Sequence, residues 1–436
     1  MIFTSMGVEF ALQTEQNFFN FKKGMVVKMK VLLINCVFQN GSTGKIVYDI
    51  YNSLLHEGYD CEVCYGRGQK TDDPNVYKCC NELYAKLNNL FTRFTGLMYG
   101  GCTVSTQMLF RFLLKEKPDV VHVHCVNGYF INIYRLITFL KEHHIKTVLT
   151  LHAEFMHTAN CGHALDCEKW KTGCGNCPRL KTETKSFFLD NTALSWRKMK
   201  KAFDGFDDLI VTSVSPWLQE RAQSSPILSE KRHVTICNGL DTSIFHMNQN
   251  NFLRSDSGLE NKKIVFHVTA SFSIEKDHIK GGFYVIEMAK RFWEIDRNIF
   301  FVIAGAYDYS IVAPPNVYFL DKITDQNKLA QWYSTADVTL LTSKKETFSM
   351  VVAESLCCGT PVVGFEAGAP EMIAIKEFSR FLPYGDSNAL FNTLKMYLKS
   401  ELFDRELIAK RSQMEYSREK MVKQYQMLYE ELVNKY

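Results

Sequence analysis

The chain has 436 residues, a length for which two domains are the usual expectation, and 46% of its residues are hydrophobic, enough to build both cores. A formal net charge of +4 is too small to require nucleic acid or an acidic partner. No apolar run approaches the ~20 residues of a membrane-spanning helix, so we predict a cytoplasmic protein, either free or peripheral at the inner face of the membrane.

The first 28 residues show no clear period, whereas the sequence from Met29 onward reads as a natural beginning. We interpret residues 1–28 as a leader or a misassigned start. From there, short apolar runs alternate with segments of helical period, beginning with KVLLINCVF and TGKIVYDIYNSLLHEG. This alternation is typical of parallel sheets covered on both faces by helices. It extends over residues 29–240, the predicted N-terminal domain.

A polar, turn-rich stretch then interrupts the alternation and predicts a linker over residues 241–262. A second α/β series, from KIVFHVTA onward, predicts a C-terminal domain over residues 263–412. In residues 413–436, apolar side chains recur at helical spacing, and we expect this amphipathic helix to pack back on the N-terminal domain. The predicted fold class is therefore α/β, with two doubly wound Rossmann-like domains.

A cysteine-rich loop, residues 157–178, follows the predicted strand KTVLTLH. Its sequence CGHALDCEKWKTGCGNCP contains four thiols, and only two residues separate the last pair, a spacing that suits a tetrahedral structural zinc. The first pair is spaced more loosely than in common zinc modules, so reduced free thiols or a redox pair remain alternatives. The four candidate zinc ligands are Cys161, Cys167, Cys174 and Cys177.

The clearest candidate for a ligand site is the stretch ETFSMVVAESLCCGTP, which follows the predicted strand DVTLLTS. In an open parallel sheet, ligands bind beyond the carboxyl ends of the strands. A helix beginning near Thr347 to Ser349 would present free N–H groups and the positive end of its dipole to a phosphate. Glu346 would lie at the edge of this site, and Glu354, within the helix, is predicted to be largely buried.

A buried carboxylate needs hydrogen-bond donors, and a ribose diol supplies two of them. Glu354 could instead pair with a lysine or with backbone amides, and Glu346 could be an ordinary solvated carboxylate. The next predicted strand, TPVVGF, is followed by Gly368 and Ala369, which leave room for the backbone to approach a ligand. Two carboxylates, a helix start and a glycine-bearing loop on adjacent strands together favour a ligand site.

The longer stretch ETFSMVVAESLCCGTPVVGFEAGAPE resembles the retaining GT-B glycosyltransferases of family 4, which carry two glutamates separated by seven residues, a CGTPVV strand and a Gly-Pro-Glu loop. The resemblance continues in VSPWLQERA, CNGLDTSIF, DVVHVH and TLH, and covers the chain from about Met29 to the end. It implies the GT-B fold, in which the two domains face each other across a cleft. It also implies that a sugar moves from a nucleotide-sugar donor, of the UDP or GDP type, to a glycan or lipid-linked glycan acceptor with retention of anomeric configuration, as in polysaccharide or capsule biosynthesis.

The resemblance further implies roles for individual residues. Glu354 would hold the nucleotide ribose, Glu346 would contact the donor sugar, and His152, which ends the TLH strand, would touch the sugar from across the cleft. Taken alone, a histidine at the end of a strand is more often structural than functional. We therefore interpret His122 and His124 as structural residues. The other implied donor-binding residues are the glycines after the first strand, Gly41 and Gly44, and the residues whose N–H groups would hold the diphosphate, Phe348, Ser349, Met350 and Val351.

Several positions depart from the family pattern. Ser271 stands where an arginine that grips the phosphates is expected, so Lys280 is the predicted phosphate lysine and Lys276 the alternative. Thr347 and Ser349 replace the glycines of the family's Glu-Gly-Phe-Gly element. These changes bear on the identity of the donor more than on the type of reaction.

The implied chemistry needs no enzymic nucleophile, because the leaving diphosphate itself deprotonates the acceptor hydroxyl on the same face of the sugar. Lys280, backbone amides and the helix start would stabilise the charge that grows on the departing phosphate. No Asp-x-Asp cluster follows a predicted strand to hold a divalent ion, so we expect catalysis without a metal cofactor. Catalytic roles are therefore assigned to His152, Glu346 and Lys280.

Two other functions are compatible with parts of the sequence. A nucleotide-sugar epimerase of the same two-domain fold would consume the donor without an acceptor. A zinc-bearing nucleic-acid-binding protein would need basic residues clustered with exposed aromatic residues, but the charge is dispersed and nearly balanced, so no nucleic-acid partner is expected.

Membrane contact is suggested by the segments NNLFTRFTGLMYGG and FFNFKKGMVVKMK, in which aromatic residues and cations mix as they do in interfacial segments. The first of these segments could equally be a core helix. Peripheral contact with a membrane is therefore a hypothesis drawn from these two segments.

Overall fold

The structure is a computed structural model that describes residues 29–248, 252–399 and 403–434. The predicted leader, and with it most of the segment FFNFKKGMVVKMK, lies outside the described residues. Within these ranges the chain forms two parallel sheets, of seven and six strands. The prediction of two doubly wound α/β domains is confirmed.

The N-terminal sheet has the strand order β3-β2-β1-β4-β5-β6-β7. Successive residues of its first strand alternate between two apolar layers, since Val31 and Leu33 lie in one core cluster and Leu32 and Ile34 in another. Burial on both faces explains why such strands read as continuous apolar runs. The elements are β1 (Lys30–Val37), α1 (Gly41–His56), β2 (Asp60–Arg67), β3 (Val76–Lys78), α2 (Glu82–Thr95), α3 (Thr103–Glu116), β4 (Val120–Val123), α4 (Ile133–Glu142), β5 (Thr147–Leu151), α5 (Phe155–Thr158), α6 (Thr192–Phe203), β6 (Leu209–Ser213), α7 (Pro216–Gln223) and β7 (Arg232–Thr235).

The C-terminal sheet has the order β10-β9-β8-β11-β12-β13. The strand order reverses between β8 and β11, and such a switch point opens a crevice at the carboxyl ends of the strands. The elements are α8 (Phe252–Asp256), β8 (Lys263–Phe272), α9 (Gly282–Ile295), β9 (Ile299–Tyr307), β10 (Val317–Leu320), α10 (Gln326–Thr335), β11 (Val338–Leu341), α11 (Met350–Cys357), β12 (Val362–Phe365), α12 (Pro370–Ile373), β13 (Ser379–Leu382), α13 (Ser387–Lys399), α14 (Arg405–Tyr416) and α15 (Arg418–Asn434).

The chain passes between the two domains twice, near Leu240 and near Ser417, and we call these two segments the first and the second crossing. The two crossings run side by side. Leu240 on the first crossing pairs with Ser417 on the second, and the amide of Arg418 donates to the carbonyl of Leu240 at 2.9 Å. A Cβ atom on Gly239 would lie 2.7 Å from the Cα atom of Arg418. Glycine is therefore required there, because any side chain would push the two crossings apart.

The C-terminal segment differs in detail from the predicted single helix over residues 413–436. α14 ends at Tyr416 and α15 begins at Arg418, so the helix is broken at the second crossing, where Ser417 has extended backbone. α15 packs in the core of the N-terminal domain through Tyr425 and Tyr429. The predicted linker, residues 241–262, also contains the short helix α8.

Candidate active site

The start of α11 lies beyond the carboxyl end of β11. Ser349 precedes the helix with φ +86°, and its side chain is only 7% exposed. Among the residues that the structure describes, its hydroxyl oxygen is buried without a hydrogen-bond partner. A buried polar atom without a partner is costly, so this hydroxyl and the free N–H groups of the first turn form an arrangement suited to an anion. The helix begins at Met350, slightly later than predicted.

The left-handed backbone at Ser349 leads to a stability prediction. A non-glycine residue in this conformation is strained, so Ser349→Gly is expected to be more stable than Ser349→Ala by about 1 kcal/mol. Both changes delete the hydroxyl, and only the first relieves the strain. Urea unfolding of the two variants measures the difference, and equal stabilities would show that the backbone at this position carries no strain.

Glu354, on the second turn of α11, is half-buried. One carboxylate oxygen accepts a hydrogen bond from the Tyr333 hydroxyl at 3.0 Å. Within the described chain the other oxygen accepts none. The protein partner is thus a tyrosine, neither the lysine nor the backbone amides that the sequence left open.

The electrostatic surroundings of Glu354 favour its neutral form in the absence of a ligand. Burial raises the pKa of this carboxyl to about 7, although the Tyr333 hydroxyl and the positive charge of Lys45 act in the opposite direction. Lys45 belongs to α1 of the other domain, so its charge acts on Glu354 from across the cleft. A ligand that donates hydrogen bonds to the ionised carboxylate would lower this pKa.

Lys280 and Glu346 form an ion pair with an Nζ–Oε1 distance of 2.7 Å. Lys280 precedes the N-terminus of α9, and the Thr342 hydroxyl at the end of β11 donates to its carbonyl at 3.1 Å. Strand pairing and hydrogen bonding thus bring the predicted phosphate lysine and the predicted sugar-side carboxylate together. Lys276, the alternative lysine, instead lies 6.0 Å over the ring of Phe283.

His152 lies at the carboxyl end of β5, on the opposite wall of the cleft. Its Nε2 is 3.1 Å from Nδ1 of His124, and burial lowers the pKa of His152 to about 4. The imidazole is therefore neutral at pH 7. Its Nδ1 has no hydrogen-bond partner among the residues described, which leaves one ring nitrogen for a ligand.

The other two histidines connect this wall to the C-terminal helix. His122 is fully buried, with Nδ1 2.6 Å from the Tyr429 hydroxyl and Nε2 2.6 Å from Thr150 Oγ1. His124 lies between His122 and His152, with ring centroids 3.8 Å and 5.4 Å away. The structural interpretation of His122 and His124 agrees with this geometry.

The two walls touch at Thr347. Its hydroxyl donates to the carbonyl of His152 at 2.8 Å, and its own carbonyl accepts a hydrogen bond from the Ser215 hydroxyl at 2.7 Å. The residue next to Glu346 is therefore held by both β5 and the start of α7. These contacts place His152, Glu346 and the start of α11 around one cleft.

Comparisons with known proteins agree with this architecture. The model of Glycosyltransferase Family 4 matches residues 43–244, and the model of Glycosyl transferases group 1 matches residues 264–400, so each domain is matched separately. The putative colanic acid biosynthesis glycosyl transferase WcaC of Escherichia coli K12 is 22% identical over 421 residues, which cover 93% of this chain and all of that protein. N-acetyl-alpha-D-glucosaminyl L-malate synthase of Bacillus anthracis is 24% identical over 72% of this chain and 75% of its own length.

Solved structures show the same fold. A sucrose-phosphate synthase from Thermosynechococcus elongatus superposes with a TM-score of 0.65 at 17% identity, over 94% of this chain and 100% of that chain. Anabaena HepE in complex with UDP-glucose superposes with a TM-score of 0.61 at 15% identity, over 92% and 99% of the two chains. The chain is a GT-B glycosyltransferase. Neither family model describes an epimerase or a nucleic-acid-binding protein, so the two alternative functions are not favoured.

In this glycosyltransferase, the loop after β12 packs against the other domain. Gly368 has φ +103°, and a Cβ atom there would lie 2.6 Å from the Trp217 ring of the other domain. Its amide, like that of Ala367, donates to the Glu371 carboxylate. Gly368 thus makes room for Trp217, and Ala369 donates to the carbonyl of Glu346 at 3.3 Å. The donor-binding role of these two residues stays a prediction.

The turn after β1 lies at the start of α1. Gly41 has φ +67° with open space where a Cβ atom would be, whereas a Cβ atom on Gly44 would lie 3.1 Å from Val37. Gly41 is therefore exposed at the start of α1, and Gly44 allows close packing of α1 on β1. Lys45 follows directly and was missed by the sequence analysis, although its place after the glycine turn was a usable signal. No local signal pointed to Tyr333, which lies on α10.

The four cysteines of the loop after β5 line one small cavity of about 20 Å³, together with Trp170. All four are free thiols. In the part of the glycosyltransferase that the structure describes, no three His, Cys, Asp or Glu side chains are placed as ligands of one metal ion. The zinc hypothesis therefore depends on the chemistry of the cavity.

Proposed function

We propose that the protein transfers a sugar, with retention, from a nucleotide-sugar donor of the UDP or GDP type to a glycan or lipid-linked glycan acceptor. The observation that carries the proposal is the grouping of Glu354, the start of α11 and Lys280 at the switch point of the C-terminal sheet. A nucleoside diphosphate has matching parts in the same order, namely a ribose diol and a diphosphate.

In the proposed complex, the ribose hydroxyls donate to the free oxygen of Glu354. The diphosphate accepts hydrogen bonds from Ser349 and the first N–H groups of α11, including those of Met350 and Val351. Phe348 is buried and anchors this turn. Because one oxygen of Glu354 already has a protein donor, the carboxylate is oriented before the ligand arrives.

Lys280 changes partner in the proposed reaction. In the structure it neutralises Glu346, and an incoming phosphate would compete for its ammonium group. Glu346 would then be free to accept hydrogen bonds from the donor sugar. As the bond between the anomeric carbon and the phosphate oxygen breaks, Lys280 and the dipole of α11 stabilise the growing negative charge.

Retention follows if the acceptor attacks from the face that the phosphate leaves. The acceptor oxygen forms the new bond to the anomeric carbon, and its proton passes to an oxygen of the departing diphosphate. His152 is neutral and supplies a hydrogen bond to a sugar hydroxyl rather than a charge. No protein side chain gains or loses a bond to carbon in this sequence.

The comparisons support the donor class and the type of product. HepE has been solved with UDP and with UDP-glucose, and WcaC is described as acting in colanic acid biosynthesis. UDP-glucose is a nucleotide sugar of the kind that we propose for this site, and colanic acid biosynthesis is an example of the kind of product that we propose. We therefore propose a UDP-type donor first and a role in building a polysaccharide, such as a capsule.

A test of the donor site uses UDP, GDP and UDP-glucose as probes. We expect at least one nucleotide to raise the melting temperature, because a ligand that binds only the folded state stabilises it. NMR of slow donor hydrolysis should then show the released sugar first in the anomeric configuration of the donor. Inversion would contradict the mechanism, and conversion of the donor to its epimer would indicate an epimerase.

A lipid-linked acceptor is supported by an exposed apolar surface on α2. Large side chains lie at helical spacing on one face of this helix and are 45–69% exposed. The segment that precedes α6 extends the surface, because Phe187 packs against Phe94 and Phe188 is 79% exposed. We call this surface the α2 face, formed by Leu83, Leu87, Leu90, Phe91, Phe94, Phe188 and Leu189. The NNLFTRF segment is thus a surface helix, and its interpretation as a core helix was wrong.

Cations accompany the α2 face. Lys86 and Lys185 are exposed, and Lys181 lies 5.8 Å over the ring of Phe188. Glu82, at the start of the helix, is paired with Arg67. An apolar stripe with flanking cations is typical of a helix that lies in the interface of an anionic membrane. Among the helices that the described residues form, none is long and apolar enough to cross a bilayer.

Sedimentation with phosphatidylglycerol vesicles at low salt tests this membrane contact. We expect the protein to pellet with the vesicles, and the double variant Leu90→Gln, Phe91→Gln to stay largely in the supernatant. The control is Leu407→Gln, Met414→Gln, which alters two exposed apolar residues on α14. If wild type stays in the supernatant, or if both double variants pellet equally, the α2 face does not bind membranes.

A further inference from the structure

The cysteine-rich loop between β5 and α6 has no part in the proposed transfer reaction, yet it brings four thiols to one cavity. Cys161 is buried and the other three are half-buried. They are separated by five, six and two residues along the chain. Convergence of four widely spaced cysteines on one cavity is a second observation, independent of the spacing from which the sequence predicted zinc.

The cavity is too small for a sugar or a nucleotide. Its volume of about 20 Å³ corresponds to a single water-sized guest. The side chains that line it are mainly thiols and apolar groups, and the Cys174 thiol donates to the Thr158 carbonyl at a sulfur–oxygen distance of 3.7 Å. A small, thiophilic guest such as a metal ion fits this lining better than water does.

The backbone and charges around the thiols suit a metal thiolate. Between Cys174 and Cys177, Gly175 and Asn176 both have positive φ, which folds the two cysteines into a tight turn. Lys169 donates to the carbonyls of both intervening residues, at 3.0 Å and 2.7 Å. This ammonium group offsets part of the net negative charge that four thiolates around a divalent ion would carry.

We propose that Cys161, Cys167, Cys174 and Cys177 bind one structural Zn²⁺ in this cavity. Each thiol gives up its proton on binding, so one Zn²⁺ replaces four protons and no redox step occurs. In the structure the four sulfurs line the cavity without the spacing of a finished tetrahedron, so binding draws them inward.

The loop is connected to the cleft through stacked side chains. Trp170 donates to the carbonyl of Cys167 at 2.8 Å, and the Arg221 guanidinium lies 4.9 Å over its ring. The same guanidinium lies 5.1 Å over the ring of Trp217, which fills the space at Gly368 beside the donor site. A zinc-fixed loop would therefore hold the acceptor-side wall in place. This functional link rests on the proposed transferase activity, whereas the metal content does not.

Metal analysis of protein purified without added zinc tests the site directly. We expect about one zinc per chain in wild type and less than about a tenth in Cys174→Ser, because a structural site needs all four ligands. The control is Cys237→Ser, which removes a thiol that is half-buried, like that of Cys174, but lies outside the loop. Full metal content in Cys174→Ser, or zinc-free wild type that takes up none on incubation, would overturn the proposal.

A second measurement covers the case in which Cys174→Ser does not fold. Titration of native wild type with a mercurial should release zinc, detected with a metal-sensitive dye, as four thiols per chain react. Four reactive thiols without zinc release, or a disulfide within the loop, would overturn the proposal. Loss of transfer in Cys174→Ser with donor binding retained would support the link to the acceptor wall. Absence of any transfer in metal-replete wild type would count against the proposed function and leave the zinc site intact.

Discussion

Replacing Glu354 by alanine is expected to weaken nucleotide binding by ~100-fold, because two ribose hydroxyls would lose a charged acceptor worth about 1.5 kcal/mol each. Calorimetric titration with the nucleotide that stabilises wild type measures this loss. The effect should be as large for the free nucleotide as for the nucleotide sugar, since the ribose is common to both. Unchanged affinity would show that Glu354 is a structural carboxylate satisfied by Tyr333.

The pKa of Glu354 also predicts how the affinity for the donor depends on pH. Its pKa is raised to about 7 in the free protein and only the ionised form accepts both hydroxyls, so affinity should rise with pH through about 7 and then level off. Tyr333→Phe removes the hydrogen bond that favours ionisation and should move this rise to higher pH. Glu354→Gln should abolish it. An unchanged pH profile in Glu354→Gln would assign the titration to another group.

Replacing Lys280 by methionine is expected to lower turnover by roughly 10²-fold or more, because a charge that stabilises the leaving diphosphate is removed. The matched control is Lys276→Met, which deletes an equal charge four residues earlier, where the ammonium lies over Phe283. Turnover of UDP-glucose or the donor found by thermal shift is the measurement. A larger loss in Lys276→Met would transfer the phosphate role to Lys276.

Variants of the residues assigned to the donor sugar should behave differently from Glu354→Ala and Lys280→Met. Glu346→Gln and His152→Ala are expected to lower turnover while the affinity for free nucleotide stays nearly unchanged, because these groups face the sugar. Equal losses for nucleotide and nucleotide sugar would contradict their assignment. Glu346→Gln also frees Lys280 from its ion pair, so a modest gain in nucleotide affinity would be consistent with the proposed exchange of partners.

Local sequence was sufficient for the elements around α11. The apolar run of β11, the helix after it and the strand β12 are each specified by residues adjacent in the chain, and the two glutamates mark the face that meets the cleft. The sequence also predicted the alternation of strands and helices and the two-domain division, because strands buried on both faces must read as continuous apolar runs.

Interactions between distant segments could not be predicted in the same way. The partners of Glu354, Gly368 and His152 lie on other elements, namely Tyr333 on α10, Trp217 on α7 and His124 after β4. The spacing of apolar residues along a helix or strand indicates which of its faces is buried. It does not indicate which other element covers that face. The break of the C-terminal helix at Ser417 likewise depends on where the first crossing passes, a long-range condition.

By itself, the sequence determined the two α/β domains, the approximate start of α11 and the glutamate within it, because these depend on residues close together in the chain. Only the tertiary structure decided that Lys280 pairs with Glu346, that Trp217 occupies the space beside Gly368, that the α2 face is exposed and that four cysteines share one cavity. Each of these features depends on how elements far apart in sequence pack against each other. A local sequence pattern does not specify which distant elements come into contact.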